Sequence, residues 1–347
     1  MTAKPTLWMR HETRAGEGRA PISPDDARAL VAQGFRLVVE ESPSRVFPTA
    51  DYEAVGCLVA PADSWPDAPE GAIVLGLKEL AAADVPLRDH IFFGNAFKGE
   101  KGAERLLRRF SDGGGTLYDL EYLVDETGHR VATFTYWAGY VGAALAVLTA
   151  RGELPRLLAP MTKPVLDDML AAGAAGPRRT ALVVGALGRG GTGAVEALRV
   201  AGIEPTQWDR DETRELDTAA LLDHDILVNT VRVSGPITPL LTTDDLDAPD
   251  RRLGVICDVS CPANRERSVL PIYHEPTTWR SPVLELRGGS RPVKLIAIDN
   301  LARLLPLESS LAYSHDLLPI LATLPDGPVW RRARQVFHEH VPSLVAC

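Results

Sequence analysis

The stretch 181–202, ALVVGALGRGGTGAVEALRVAG, decides the fold. An apolar run comes first, then a turn rich in glycine, then a segment with helical spacing. Such a run suits a strand buried in a parallel sheet. Gly185, Gly188, Gly190 and Gly191, with Gly193 behind them, allow a tight turn and close approach of the backbone. The helix that follows offers unsatisfied N–H groups to a pyrophosphate, and Arg189 stands at its start. A short strand later, TQWD at 206–209 ends in Asp209, about where a dinucleotide fold sets its ribose-binding acid. A carboxylate there accepts from both ribose hydroxyls and repels a 2′-phosphate, so NAD is expected over NADP. Arg210, next in the chain, pulls the other way. The competing reading is a glycine-rich turn at an ordinary strand–helix junction. Agreement of strand, helix and downstream acid favours the nucleotide site.

Outward from this stretch the chain reads as α/β throughout. TALVVGAL, TQWD, DILVNTV, RLGVICDVS and VKLIAID form a strand series after residue 180. Before it, the first third alternates short strands (LWMR, FRLVVEE, AIVLGL, IFFGNAF) with helices such as DDARALVAQ and the basic amphipathic GAERLLRRF. Ser23 offers a capping oxygen, Pro24 suits a first helical position, and Asp25 and Asp26 suit the positive end of the dipole. From about 133 to 150 the pattern is helical and links two domains. After Asp299 it is helical again, in SHDLLPILATLP and VWRRARQVFHEHV.

Composition limits the function classes. The 347 residues suffice for two domains, each with its own core. A net charge of −9 opposes nucleic-acid or anionic-membrane partners, while leaving room for a local cationic pocket. Segment 137–148 is too short to span a bilayer and reads as a buried helix. The N-terminus lacks an apolar stretch of signal-peptide type. Cys57, Cys257, Cys261 and Cys347 include one C-x-x-x-C pair without the second half of a zinc site. No metal is expected, and the thiols read as ordinary ones in a reducing cytoplasm.

Basic groups mark a second chemical region. GLKEL, 76–80, sets Lys78 and Glu79 at a strand end, where a flanked lysine can accept protons. RHETRAGEGRAPISP, 10–24, carries Arg14 and Arg19, and NAFKGE carries Lys98. Arginine forks match carboxylate geometry. Ser314, His315 and Asp316 are consecutive and cannot face one another on a helix. His338 and His340 read as solvated, and Trp137 and Tyr140 as core.

RHETRAGEGRAPISP, GLKEL, GTLYDLEYL, ALGRGGTGA, WDRDET, CDVS, AIDNLARLLP and SHDLLP, in this order, resemble the lysine-forming saccharopine dehydrogenases. The resemblance runs almost the whole length. It implies two Rossmann-like domains with parallel sheets flanked by helices and a cleft between them. Residues 1–133 plus 308–347 would form the substrate domain and 134–307 the NAD-binding domain. The implied activity is oxidation of saccharopine by NAD to lysine and 2-oxoglutarate, or the reverse condensation, in a cytoplasmic monomer taking amino-acid and keto-acid substrates. Lys78 would be the acid–base lysine, with Glu79 and Glu121 adjusting its charge. Arg14, Arg19, Arg130 and Lys98 would hold substrate, with Asp299 lining the same region. Gly185, Gly188, Arg189, Gly190, Gly191, Asp209, Asp258 and Asp299 would serve the cofactor. The chain departs from the pattern at Asn95, where the family usually has its second acid–base histidine, and at Asn300. Asparagine does not titrate near neutral pH. That departure leaves three readings open: a slower enzyme, a different amine substrate, or a nucleotide-binding regulator without turnover.

Overall fold

The computed structural model describes residues 4–80, 84–174, 176–231, 238–261 and 268–341; Cys347 lies outside them. Contacts divide the chain into two compact units, one up to Thr133 and again from Ser309, the other Phe134–Glu308.

The first unit is built on six strands, β1 Thr6–Met9, β2 Arg36–Glu40, β3 Leu58–Ala60, β4 Ile73–Leu75, β5 His90–Phe92 and β6 Leu117–Asp119. All pair parallel, in the order β3-β2-β1-β4-β5-β6. The strands are short and nearly all buried, as expected for a sheet covered on both faces. The order reverses between β1 and β4, and a crevice opens beyond the carboxyl ends of strands at such a point. Helix α1 Pro24–Ala32 starts as its sequence dictates, with Ser23 Oγ accepting from Asp26 N at 3.2 Å. Helix α2 is Thr49–Glu53. Helix α3 Ala103–Gly113 buries Leu107 and Phe110.

The second unit holds α4 Thr135–Arg151, α5 Lys163–Ala172, β7 Ala181–Val184, α6 Arg189–Val200, β8 Thr206–Trp208, α7 Arg210–Arg214, α8 Thr218–Leu222, β9 Ile226–Asn229, β10 Val255–Asp258, β11 Leu284–Arg287 and β12 Val293–Ile296. Its sheet runs β11-β12-β10-β9-β7-β8, parallel except for the edge strand β11. The order reverses at β7, which lies between β8 and β9. Helix α4 is the expected buried helix: Tyr140 to Thr149 are all buried. It meets α6 backbone to backbone. A Cβ on Gly139 would stand 1.8 Å from the Gly190 carbonyl, and one on Gly193 2.1 Å from that of Tyr136. No described helix is long and apolar enough to cross a membrane. Cys57 and Cys257 are buried free thiols.

The chain then forms α9 Pro306–Leu321 and α10 Pro328–His340. Helix α10 completes the first unit. Trp330 packs edge-on to Tyr118 at 5.6 Å, Phe337 packs on Phe110 at 5.9 Å, and Arg334 donates to the Tyr118 hydroxyl at 2.9 Å. Helix α9 starts eight residues before Ser314, because Pro306 at its head suits a first turn. His340, expected in solvent, instead lies 4.7 Å from the Phe97 ring and engages the Val336 carbonyl through Nδ1.

Candidate functional site

In the second unit, the candidate residues gather at the carboxyl ends of the strands. Gly185 follows β7 at φ +81°, a backbone that L side chains rarely adopt, and a Cβ there would meet Thr230 Oγ1 at 2.7 Å. Gly191 fails as alanine for a different reason: its Cβ would sit 2.2 Å from the Gly185 carbonyl. Gly188, the N-cap of α6, has no side chain to cap the first turn. A Cβ there would meet only the Gly185 carbonyl, at 3.4 Å. The turn is therefore closed where it packs and open at the helix start, beside Arg189 and Gly190, as a pyrophosphate requires.

Asp209 fixes the next strand end. Its Oδ2 accepts from Leu187 N at 3.0 Å, within the glycine turn, and its Oδ1 from Arg210 N at 2.9 Å. The expected ribose acid thus stands against the expected phosphate turn. Asp299, after β12, is exposed and accepts from the Asn300 amide. Asp258 differs from expectation. It is fully buried, with Oδ1 accepting from Asn229 Nδ2, Ser260 N and Ser260 Oγ, and Oδ2 from the Tyr273 hydroxyl at 2.8 Å. A carboxylate so engaged braces the ends of β9 and β10 instead of reaching a cofactor.

In the first unit, the residues gather at its own reversal point. Glu12 accepts from the amides of Leu77 at 2.6 Å and Lys78 at 2.9 Å. Arg10 donates to the Lys78 carbonyl and stands 3.5 Å from Glu12. The backbone of Lys78 is thus clasped from both sides by the segment after β1. Gly76 makes room for this, since a Cβ there would stand 2.4 Å from Arg10 Nε. Burial pushes the Glu12 carboxyl above its usual range, against the opposing charge of Arg10. The Lys78 ammonium lies 5.9 Å over the Phe93 ring, partly exposed.

Arg19 is buried and turns its fork onto Glu17, with Nε to Oε1 at 2.8 Å and Nη2 to Oε2 at 2.7 Å. Arg19, expected to hold substrate, thus already grips an internal carboxylate. Burial alone would raise Glu17, but hydrogen bonds and charge from Arg19, then the charge of Lys78, outweigh it and hold Glu17 low. Arg130 pairs with Glu121 at 2.7 Å, both partly exposed. Arg14 reaches Glu79 at 3.7 Å on the solvent side. Lys98 is exposed, 5.3 Å over the Tyr122 ring.

Asn95 follows β5 in a left-handed conformation, φ +48°, which asparagine tolerates well. Its side chain is exposed, and its N–H donates to Asp119 Oδ2 at 3.0 Å. Asp119 Oδ1 accepts from Glu121 N at 2.9 Å. Burial pushes the Asp119 carboxyl up to about 7, against the backbone hydrogen bond from Glu121. The buried phenol of Tyr313, raised by burial, feels the charges of Arg130, Arg19, Asp119 and Glu121. One buried tyrosine from α9 therefore shares the electrostatic surroundings of Arg130, Arg19, Asp119 and Glu121.

Sequence reasoning missed Glu12, Glu17, Asp119 and Tyr313 as members of this cluster. Glu12 and Glu17 lie within the motif that supplied Arg14 and Arg19. Asp119 is two residues before Glu121, which was singled out. Tyr313 adjoins SHDLLP but carries no local signal of its own.

The Alanine dehydrogenase/PNT, N-terminal domain family matches residues 8–141. Saccharopine dehydrogenase (NAD(+), L-lysine-forming) of Neurospora crassa is 40% identical, over 99% of this chain and 98% of its own. The proteins of that name from Schizosaccharomyces pombe and Candida glabrata are 38% and 37% identical; they cover 98% and 96% of this chain, and 99% and 96% of their own. Among solved structures, an L-alanine dehydrogenase superposes with TM-score 0.69 at 18% identity, over 96% of this chain and 94% of its own. A transhydrogenase from Sinorhizobium meliloti superposes with TM-score 0.64 at 21% identity, over 92% and 94%. These two likenesses establish the two-domain Rossmann-like fold.

Proposed function

The chain belongs to the saccharopine dehydrogenases (NAD(+), L-lysine-forming), and from that membership we propose that it oxidises the CH–NH group of saccharopine to L-lysine and 2-oxoglutarate, or runs the reverse condensation. It is an NAD-dependent oxidoreductase. The observation that carries the reading is the clasp on Lys78. Arg10 and Glu12 hold its backbone at the reversal point of a parallel sheet, with Glu17 near enough to feel its charge.

NAD, when bound, would supply the acceptor for the hydride of the carbon bearing the secondary amine. The open start of α6 at Gly188 suits the pyrophosphate, with the N–H groups of Arg189 and Gly190 beside it, and Asp209 suits the ribose hydroxyls. Lys78 takes the amine proton as the imine forms, and later serves the water that splits it. Arg130 is the candidate for a substrate carboxylate, its Glu121 partner yielding as substrate enters. Arg19, through Glu17, sets the field at Lys78. Asp258 acts by bracing the strand ends. Residues 1–133 with 308–347 carry the acid–base chemistry, and 134–307 carry the nucleotide. The free thiols suit a cytoplasmic setting.

Asn95 supports a second reading, an imine or secondary-amine dehydrogenase with a different amine. An exposed amide in the family's histidine position leaves both proton steps to Lys78 and water. NADH oxidation with 2-oxoglutarate and lysine, against a panel of other amines and keto acids, separates the readings. Turnover with lysine supports the first, and turnover only with another amine the second. Lys78→Met should lower kcat by about 10²- to 10⁴-fold. Asn95→His should raise lysine turnover if the amine is lysine. Silence with every pair, despite NADH binding, would sink both.

A further inference from the structure

The second unit contains a cavity of about 370 Å³ that the proposed dehydrogenase chemistry does not use. It is lined by Thr149, Arg179, Arg251, Arg252, Arg291 and Lys294, with Asp225 as its one acid. Its position in the sheet is opposite to that of the glycine turn. Arg179 precedes β7, Asp225 precedes β9, and Gly254 and Lys294 stand at the starts of β10 and β12. Gly185, Asp258 and Asp299 lie at or beyond the other ends of β7, β10 and β12, and Asp209 lies beyond the carboxyl end of β8. Four-residue strands separate the two edges by about 13 Å.

Positive charge here is held by carbonyls more than by carboxylates. Buried Arg251 donates to the carbonyls of Leu246 at 2.9 Å, Arg291 at 2.8 Å and Leu253. Arg291 donates to the carbonyls of Pro249 and Arg251. Burial, and after it the charge of Arg291, pulls the Arg251 guanidinium below its usual value. Asp225 is already shared, accepting from Thr180 N at 2.7 Å and lying 3.4 Å from Arg252. Among the described residues neither Arg179 nor Lys294 forms an ion pair. Arg252 also pairs with Asp223 at 3.6 Å, so five cationic side chains stand against two carboxylates and the carbonyl end of α4.

A separate observation points to a ligand. Thr149 is 5% exposed, and its Oγ1 is buried without a hydrogen-bond partner. It lines this cavity. A buried hydroxyl left unmatched costs stability, and an anion's oxygen would satisfy it.

We propose that this cavity is a second ligand site, separate from the nucleotide turn, for a small anion with two or more negative charges on phosphate or carboxylate groups. Arg179, Lys294 and Arg291 would meet the anion, Thr149 Oγ1 would donate to it, and Arg251 would supply fixed charge from behind. The volume suits a small metabolite.

Calorimetric titration of the full chain, saturated with NADH so that the glycine turn is filled, tests this with pyrophosphate and separately with citrate. One molecule should bind per chain. Binding of pyrophosphate alone identifies a phosphate site, and of citrate alone a carboxylate site. Arg179→Gln and Lys294→Gln should each weaken binding about tenfold without changing NADH affinity. Thr149→Val, nearly the same shape, should weaken binding several-fold and leave folding intact. Saturating anion should raise the unfolding temperature of the native chain by more than that of Lys294→Gln. No binding of either probe below about 10 mM, or equal affinity in all three variants, overturns the proposal.

Discussion

Glu12 shows how much one side chain can organise here. Its two oxygens take two adjacent amides, and only a carboxylate offers two acceptors in that geometry. Glu12→Gln presents an amide N–H to one of those donors. The expected cost is about 1–3 kcal/mol for the buried donor left unmatched, read from chemical unfolding. Displacing Lys78 by about 1 Å should cost about 10²-fold in kcat/KM. Unchanged kinetics in a destabilised variant would make Glu12 a purely structural group. Asp119 makes a pH prediction. Its carboxyl, ordinarily 3.8, is pushed to about 7 by burial, so the folded chain keeps a proton that the unfolded chain releases. Its contribution is full below 3.8 and is lost as pH rises through about 7. Asp119→Asn lacks this term. The unfolding temperature of the native chain, relative to that of Asp119→Asn, should therefore fall from about pH 4 to about pH 8 and then level off. A flat difference would mean that Asp119 is ionised throughout.

Among the elements, the β7 turn and α6 separate two uses of glycine. Gly191→Ala forces a Cβ to 2.2 Å from a carbonyl, backbone against backbone, so neither side can yield cheaply. It should destabilise by about 1–3 kcal/mol and abolish NADH binding. Gly188→Ala meets nothing closer than 3.4 Å. It should fold normally yet weaken NADH binding, because its methyl group occupies the open start of the helix. Thermal unfolding and NADH fluorescence titration on both variants check the contrast. This turn was legible from sequence because its whole logic is local: strand, glycines, helix and Asp209 lie within thirty residues. Strands β3 and β11 were not singled out, because three or four residues with exposed positions carry little period-two pattern. The cluster around Tyr313 was hidden for another reason. Its parts come from β1, β4, β5, β6 and α9, and only the parallel order of strands brings their ends together. Asp258 misled because a motif tells that an acid matters but not which way it faces; burial turned it inward.

At the scale of the whole molecule, the two units differ in continuity. Phe134–Glu308 is one uninterrupted stretch with its own sheet and core. The other unit needs residues from Ser309 onward, since Phe337 belongs to the core around Phe110 and Arg334 holds Tyr118. Expressed alone, 134–308 should unfold cooperatively and bind NADH. Residues 1–133 alone should lack a cooperative transition and regain one when 309–347 is added as a separate peptide. Circular dichroism melts check both. A stable 1–133 would show that α10 is an ornament to that core. The net charge of −9 describes the chain as a total but not the arginine-lined cavity in the second unit, where cations gather.

The split first unit also dictates an order of birth. A ribosome delivers β1 to β6 first, yet Tyr313, Trp330 and Phe337 emerge only after the entire nucleotide-binding stretch has been made. The earliest-synthesised part is thus the last to mature, waiting half-built while its successor folds. On the proposed roles, a nascent chain with residues up to about 305 clear of the ribosome should bind NADH before it can turn over substrate.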